Sequence, residues 1–385
     1  MHAKPTNDLH IIVTVVKRRF DPFLGLKVIM NENKIMPVSY NFTDDTYKII
    51  NDTEYSKIRF LRRFFYYHKV FSQLSSGLNE IIEQHTAKVS HIDKIYFYFS
   101  DESLWAEYLK MFCKKLKYKS ELVNLQHGSF LMNKVSFIPM RILVNKISEK
   151  ILRFPLLGFD FGGSEVDNYF VYSDVEKNYL QERSKKSKVI ISPLLCKYHL
   201  IKDYLKFNTE TQSNTNKTIL FGMQPPEISE GCIYSEEAMY THLKPLFQYL
   251  KQKGYTIHFR LHPGTLNPQD SIANLQKTGV FDLIEMANDG KIEYFMSISS
   301  IVISFHSTVI FDAFTLGKLP IVIKGFMKPF TFPIKHEVVN IFDNWEKELA
   351  EALAKQEQYN KAVQLSFEEE TINFFSSKNK LEDTK

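Results

Sequence analysis

Cysteine is scarce in this chain. Its three thiols, Cys113, Cys196 and Cys232, stand far apart with no CxxC or Cys/His spacing, which excludes a disulfide framework and a zinc site and suits a reducing, cytoplasmic setting. No uninterrupted apolar run reaches the roughly 18 residues of a membrane-spanning helix, and the opening stretch to Phe20 has too short an apolar segment for a secretory leader. A soluble or peripheral protein is expected. A dominant charge is lacking as well: 49 basic residues face 44 acidic ones, a formal net charge of +5, so the polycation of a dedicated nucleic-acid binder is not here. Also missing are a GxxxxGK(S/T) loop, a GxGxxG behind a strand, an HExxH pair and a GxSxG elbow, which argues against P-loop, dinucleotide, zinc-protease and serine-hydrolase chemistry. No DxD-like acid pair follows a strand, so metal-independent chemistry is expected.

What is present is ordinary globular material with an aromatic bias: 44% apolar, 24% charged and 14% aromatic residues, including 32 Phe and 20 Tyr, in 385 residues. A chain of this length outgrows one core and is expected to form two domains of under about 200 residues each. Basic stretches at Arg59 to Lys69 and Lys110 to Lys119 read as solvated helix faces or as an anion-facing surface.

The pattern is βαβ. Leu9–Val16, Lys94–Ser100 and Glu121–Leu125 read as strands, with a helix from Glu102 to Lys117 between the last two. Residues 133–160 carry Phe137, Ile138, Met140, Ile142, Leu143, Ile147, Ile151 and Leu152 at helical spacing, with Arg141, Lys146, Lys150 and Arg153 among them. Such a helix faces a core, covers a cleft as a lid, or lies on a membrane. The grammar restarts with a strand at Asn168–Ser173, a helix to about Arg183 and a strand at Lys188–Ser192; a polar loop follows at 208–217. Strands Thr218–Gly222, Thr256–Leu261, Ser300–Ser304 and Pro320–Lys324 then alternate with helices Ser235–Lys253, Leu266–Lys277, Lys291–Ser297 and Ser307–Leu316. Gly317 is read as the cap of the last of these. An acidic helix, Glu346–Glu370, is expected to cross back onto the first domain. The expected division is 1–167, 168–345 and 346–385, without an internal repeat.

Ligands of open parallel sheets gather at the carboxyl ends of strands. There stands His262, followed by Pro263, which favours extended backbone before it, and Gly264, which permits a tight reversal. Its imidazole can donate to a phosphate oxygen or protonate a leaving group; a packing or capping histidine is the plain alternative. Ser307 and Thr308 open a helix, where free N–H groups, dipole and hydroxyls suit a phosphate, or are an ordinary N-cap. The two motifs are expected on adjacent strands. Arg260, Gln224 and Lys324 lie near the same edge. In the first half Gln126, His127 and Gly128 end a strand likewise, with His127 as a candidate base and Asp101 (or Glu102), behind Lys94–Ser100, as its rival.

These residues resemble the bacterial surface-polysaccharide glycosyltransferases of GT-B fold, especially those using CMP-activated sugars (sialyl-, nonulosonate and Kdo transferases), through His262-Pro263 and Ser307-Thr308. They are also similar to the CDP-glycerol glycerophosphotransferases, through Arg260-Leu-His-Pro263, Ser307-Thr308 with Phe311-Asp312, and His127-Gly128. The resemblance spans about Leu122 to Lys324. It implies an α/β GT-B fold of two Rossmann-like domains whose parallel sheets face a cleft, with an N-terminal acceptor domain and a C-terminal nucleotide-sugar domain. It implies inverting, metal-independent transfer from a CMP-linked donor to a saccharide or glycolipid acceptor in capsule or lipopolysaccharide synthesis. From the charge balance nucleic acid is not expected as a partner, and a cytoplasmic location is expected, at the inner face of the cytoplasmic membrane if the helix at 133–160 lies on it. In that scheme Gln126 and Gly128 touch the acceptor, Arg260, His262, Pro263, Gly264, Ser307, Thr308 and Gln224 the nucleotide, and Asp312 faces the ribose or the helix core. The sialyltransferase relatives carry an acidic pair before glycine where this chain has Gln126-His127-Gly128. A CDP-polyol phosphotransferase, a UDP-sugar epimerase and a non-catalytic binding partner are the alternatives.

Overall fold

The computed structural model describes residues 7–14, 23–41, 60–100, 103–126, 138–152, 164, 166–210, 217–224, 232–305, 307–326, 334–359 and 367–377. The chain divides into a first unit, Met1–His199 with Ser366–Lys385, and a second, Leu200–Leu365.

The first unit holds strands β1 (Leu9–Thr14), β2 (Val38–Asn41), β3 (Lys94–Phe99), β4 (Lys119–Leu125), β5 (Asn168–Val171) and β6 (Lys188–Ile191). They form one sheet in the order β2-β1-β3-β4-β5-β6, parallel throughout. β1 and β3 are buried along almost their whole length, as strands covered on both faces must be. The 27-residue helix Phe60–Thr86 packs Val70, Leu74, Leu78 and Ile82 against this sheet.

β5 and β6 correct the expected division. Val123, Asn124 and Leu125 of β4 pair with Asn168, Tyr169 and Phe170, so the strands read as opening a second domain complete the first sheet, and the boundary falls at 199/200 rather than 167/168. The acidic C-terminal helix is corrected too. It is two helices, Trp345–Leu353 in the second unit and Glu369–Ser377 in the first. The chain leaves the helical path where Lys355 and Tyr359 both donate to Glu337, at 2.6 and 2.8 Å. The later helix follows Glu368, which accepts from Ser192 Oγ at 2.8 Å, and it seats Phe374 and Phe375 against Phe170, with centroids 5.1 and 5.9 Å away.

The second unit holds β7 (Thr218–Gly222), β8 (Thr256–Arg260), β9 (Glu285–Met286), β10 (Ile301–Ser304), β11 (Leu319–Lys324) and β12 (Glu337–Asn340). Their order is β12-β11-β10-β7-β8-β9, again parallel. From β7 the chain steps outward to β8 and β9, returns to the other side of β7, and steps outward again through β10 to β12. The point of return lies between β7 and β10, and a doubly wound sheet opens its ligand crevice there. The helix Glu236–Gln252 covers one face with Met239, Tyr240, Leu243, Leu246, Phe247 and Leu250. Its cap is Ser235, whose Oγ accepts from the Ala238 N–H at 3.2 Å. Among the described residues no helix is long and apolar enough to cross a membrane.

Candidate functional site

The sheet of the second unit brings the predicted nucleotide residues to one edge. β8 ends at Arg260 and β10 at Ser304, but the two strands are not neighbours: both pair with β7, through Gly222. The expected adjacency of His262 to Ser307 is therefore wrong by one strand. β7 contributes the residue between them, Gln224, and the row from β8 to β10 spans about 10 Å at ordinary strand spacing.

Gln224 gains most from this. Met223 donates to Arg260 O at 2.8 Å, which extends the ladder to the last residue before it. The Gln224 amide oxygen is buried and has no hydrogen-bond partner among the described residues, and a buried acceptor calls for a donor. Beside it the helix of β10 comes close: a Cβ on Gly222 would stand 3.2 Å from Val309 Cγ1, and Ser304 Oγ donates to Gly222 O at 2.6 Å. Gly222 is thus the residue that lets β7 and the start of the next helix meet.

His262 is held by its own turn. Thr265 N–H donates to His262 O and Gly264 N–H to His262 Nδ1, both at 3.0 Å. A ring nitrogen that accepts a backbone N–H carries no proton, so the neutral ring bears its proton on Nε2 and presents it as a donor. Burial lowers the pKa of this histidine, which keeps it neutral near pH 7. Gly264 acts through its N–H; its φ is outside the left-handed region, so the tight reversal expected of it needs no glycine. Pro263 is exposed.

Around β10 the helix is shorter than expected, Val309–Thr315, and Thr308 makes no side-chain cap. Ser307 Oγ accepts weakly from Val309 N–H, at 3.4 Å, and Thr308 is exposed. Gly317, at φ 67°, closes the helix as expected, with Lys318 N–H donating to Ala313 O at 2.8 Å. Lys324 is exposed at the end of β11.

Arg260 is placed differently from its expected role. Its Nη1 donates to Ala287 O at 2.5 Å and its Nη2 to Gly290 O at 3.1 Å, so the guanidinium fork clamps the loop that follows β9. That loop delivers Glu293, a carboxylate that sequence reading missed. It is half-buried; burial first, then Asp203 and Asp312, raise its pKa. Asp312 thus faces a second acid. The signal for Glu293 was faint: an acid in the first turn of a short helix after a strand, the ordinary place for an N-terminal charge.

In the first unit, Gln126 is 3% exposed. Its Nε2 donates to Glu176 Oε1 at 3.3 Å and its Oε1 accepts from Tyr172 N–H at 3.2 Å. Glu176 also accepts from Ser173 Oγ, and burial raises its pKa. The amide expected on an acceptor ties β4 to β5 instead. His127, Gly128, Asp101 and Glu102 lie outside the described residues. The point of return in this sheet is between β1 and β3, so the crevice borders the strand that precedes Asp101 rather than the one that precedes His127. Among the described residues no three His, Cys, Asp or Glu side chains cluster as a metal site.

No protein-family model matches the sequence, and no curated protein matches it. Solved structures do. The UDP-GlcNAc 2-epimerase of Neisseria meningitidis bound to UDP-GlcNAc is similar over 93% of this chain and 94% of its own, at 14% identity and a TM-score of 0.56. The UDP-GlcNAc 2-epimerase of Methanocaldococcus jannaschii is similar over 94% of both chains, at 11% identity and a TM-score of 0.52. The fold is GT-B-like. Two Rossmann-like units, each a six-stranded parallel sheet with alternating helices, agree with the architecture that the sequence implied.

Proposed function

We propose that this protein is a metal-independent, inverting glycosyltransferase that binds the nucleotide of its donor at the β7/β10 crevice of the second unit. The observation that carries the reading is the row at the carboxyl edge: a donor, His262 Nε2–H; an unmatched acceptor, the Gln224 amide oxygen; and the hydroxyls of Ser307 and Thr308. Donors suit a phosphate leaving group, whose developing charge they stabilise, and an acceptor suits an amino or hydroxyl group of base or ribose. A neutral histidine does this at pH 7 without first taking up a proton. The donor favoured by the motifs is a CMP-linked nonulosonic acid or Kdo, with a saccharide or glycolipid acceptor and His127 or Asp101 as base.

The test is thermal stabilisation by CMP, CDP, UDP and GDP, since a ligand of the folded state raises stability by about 2.7 kcal/mol at a hundredfold excess over its Kd. A cytidine nucleotide is expected to stabilise the protein, and His262→Ala and Gln224→Leu to weaken its affinity about tenfold or more, which about halves that response. Equal stabilisation of both variants, or none by any nucleotide, overturns the reading. In turnover assays with an identified donor, the base is whichever of His127→Ala and Asp101→Ala abolishes transfer while leaving CMP binding intact. CDP-glycerol or CDP-ribitol as the only productive donor makes the enzyme a polyol-phosphate transferase. Epimerisation of a UDP-sugar is a second reading, favoured by the acidic pair Glu293 and Asp312; it fails if the nucleotide sugar is consumed only when an acceptor is present.

A further inference from the structure

Over its described side chains, Ile142–Ile151, the helix Ile138–Leu152 is turned inside out. Facing inward are Asn145 and Ser148, 2% and 3% exposed, with Ser148 Oγ donating to Asn145 O at 3.0 Å. Facing outward are Ile142, Leu143, Ile147 and Ile151, at 40, 57, 50 and 70% exposure. A helix on a protein surface normally does the reverse. At 3.6 residues per turn Ile142, Lys146, Lys150, Leu143, Ile147 and Ile151 fall side by side, in that order, over about half the circumference. Both lysines are exposed. The single acid of the helix, Glu149, is spent on Lys114 Nζ at 3.1 Å. The outward face is therefore apolar and cationic, and its apolar stripe does not serve as a core face.

We infer that this face docks on an anionic lipid surface. Three large apolar side chains in one stripe, Leu143, Ile147 and Ile151, with Ile142 on the far side of the two lysines, need a cover, and charge decides which. Two-fold pairing with a second copy sets Lys146 and Lys150 against their own kind, whereas an anionic bilayer attracts both ammonium groups while their stems lie along the headgroup boundary with the apolar residues. The inference rests on this helix alone and stands or falls apart from the nucleotide reading.

Sedimentation of the full chain with vesicles tests it. Binding is expected to vesicles of equal parts phosphatidylcholine and phosphatidylglycerol, to be weak on phosphatidylcholine alone, and to fall as salt rises. The pairs Leu143→Ser with Ile147→Ser, and Lys146→Glu with Lys150→Glu, are each expected to weaken it by about tenfold or more with the melting temperature unchanged, because all four side chains are exposed. No binding to the mixed vesicles, or binding undiminished in both variants, overturns the inference. So does a dimer in solution that the serine pair converts to monomer.

Discussion

At the scale of single residues, burial of polar groups separates what binds from what builds. His262 and Gln224 keep a donor and an acceptor unspent, whereas Arg260 and Gln126 have committed theirs to the backbone and to neighbouring side chains. Lys318 is a different case. It is 9% exposed, lies 5.2 Å from the Tyr204 ring centroid, and burial brings its pKa down to about 8. The folded state therefore disfavours the charged amine that the unfolded chain carries up to a pKa of about 10.4. Between those two values the unfolded state binds more protons, so stability rises with pH across that window and the full cost stands below pH 8, up to about 3 kcal/mol. Lys318→Met is expected to raise the melting temperature at pH 7, with the gain shrinking toward pH 10.5. An equal gain at both pH values would falsify a cost of charge burial.

At the scale of elements, the ends of strands and helices carry the argument. Gln126 joins β4 to β5 and to the hydrogen-bonded pair of Ser173 and Glu176. Gln126→Leu orphans the Tyr172 N–H and takes a donor from a buried carboxyl group, and it is expected to cost about 1–3 kcal/mol of stability with the Kd for nucleotide unchanged. A raised KM for acceptor at unchanged stability would restore its acceptor role. Strands such as Thr218–Gly222 were legible to the residue, because a β-branched and aromatic run bounded by glycine has no helical reading. The sheet to which Asn168–Val171 belongs was not legible. A short strand buried on both faces has the same pattern wherever it pairs, and its partner β4 lies in a different part of the sequence. For the same reason His262 and Ser307 could be given to one edge but not to their strands: the order β10-β7-β8 is a matter of pairing, and composition does not encode it. Arg260 looked free because its acceptors, Ala287 O and Gly290 O, are backbone atoms that any sequence supplies. The outward turn of Ile138–Leu152 was hidden likewise, since periodicity gives the apolar stripe but not the side on which it faces.

At the scale of the whole molecule, each unit has a core of its own and the chain crosses between them twice. The last crossing returns Glu369–Ser377 to the first unit, where Phe375, 0% exposed, stacks on Phe170 at 5.9 Å and on Tyr98 at 6.4 Å. Tyr98 in turn meets His10 Nδ1 at 3.0 Å, so the C-terminal aromatics close over the middle of the first sheet, from β1 to β5. Removing such a ring leaves a cavity that the stiff strands beneath cannot fill, at a cost of about 3–5 kcal/mol. If the two cores are independent, that loss stays in one of them. Hydrogen exchange followed by mass spectrometry is expected to show Phe375→Ala speeding exchange in β1, β3 and β5 while β7, β8 and β10 keep their protection. Faster exchange in both sheets would mean that the units unfold together.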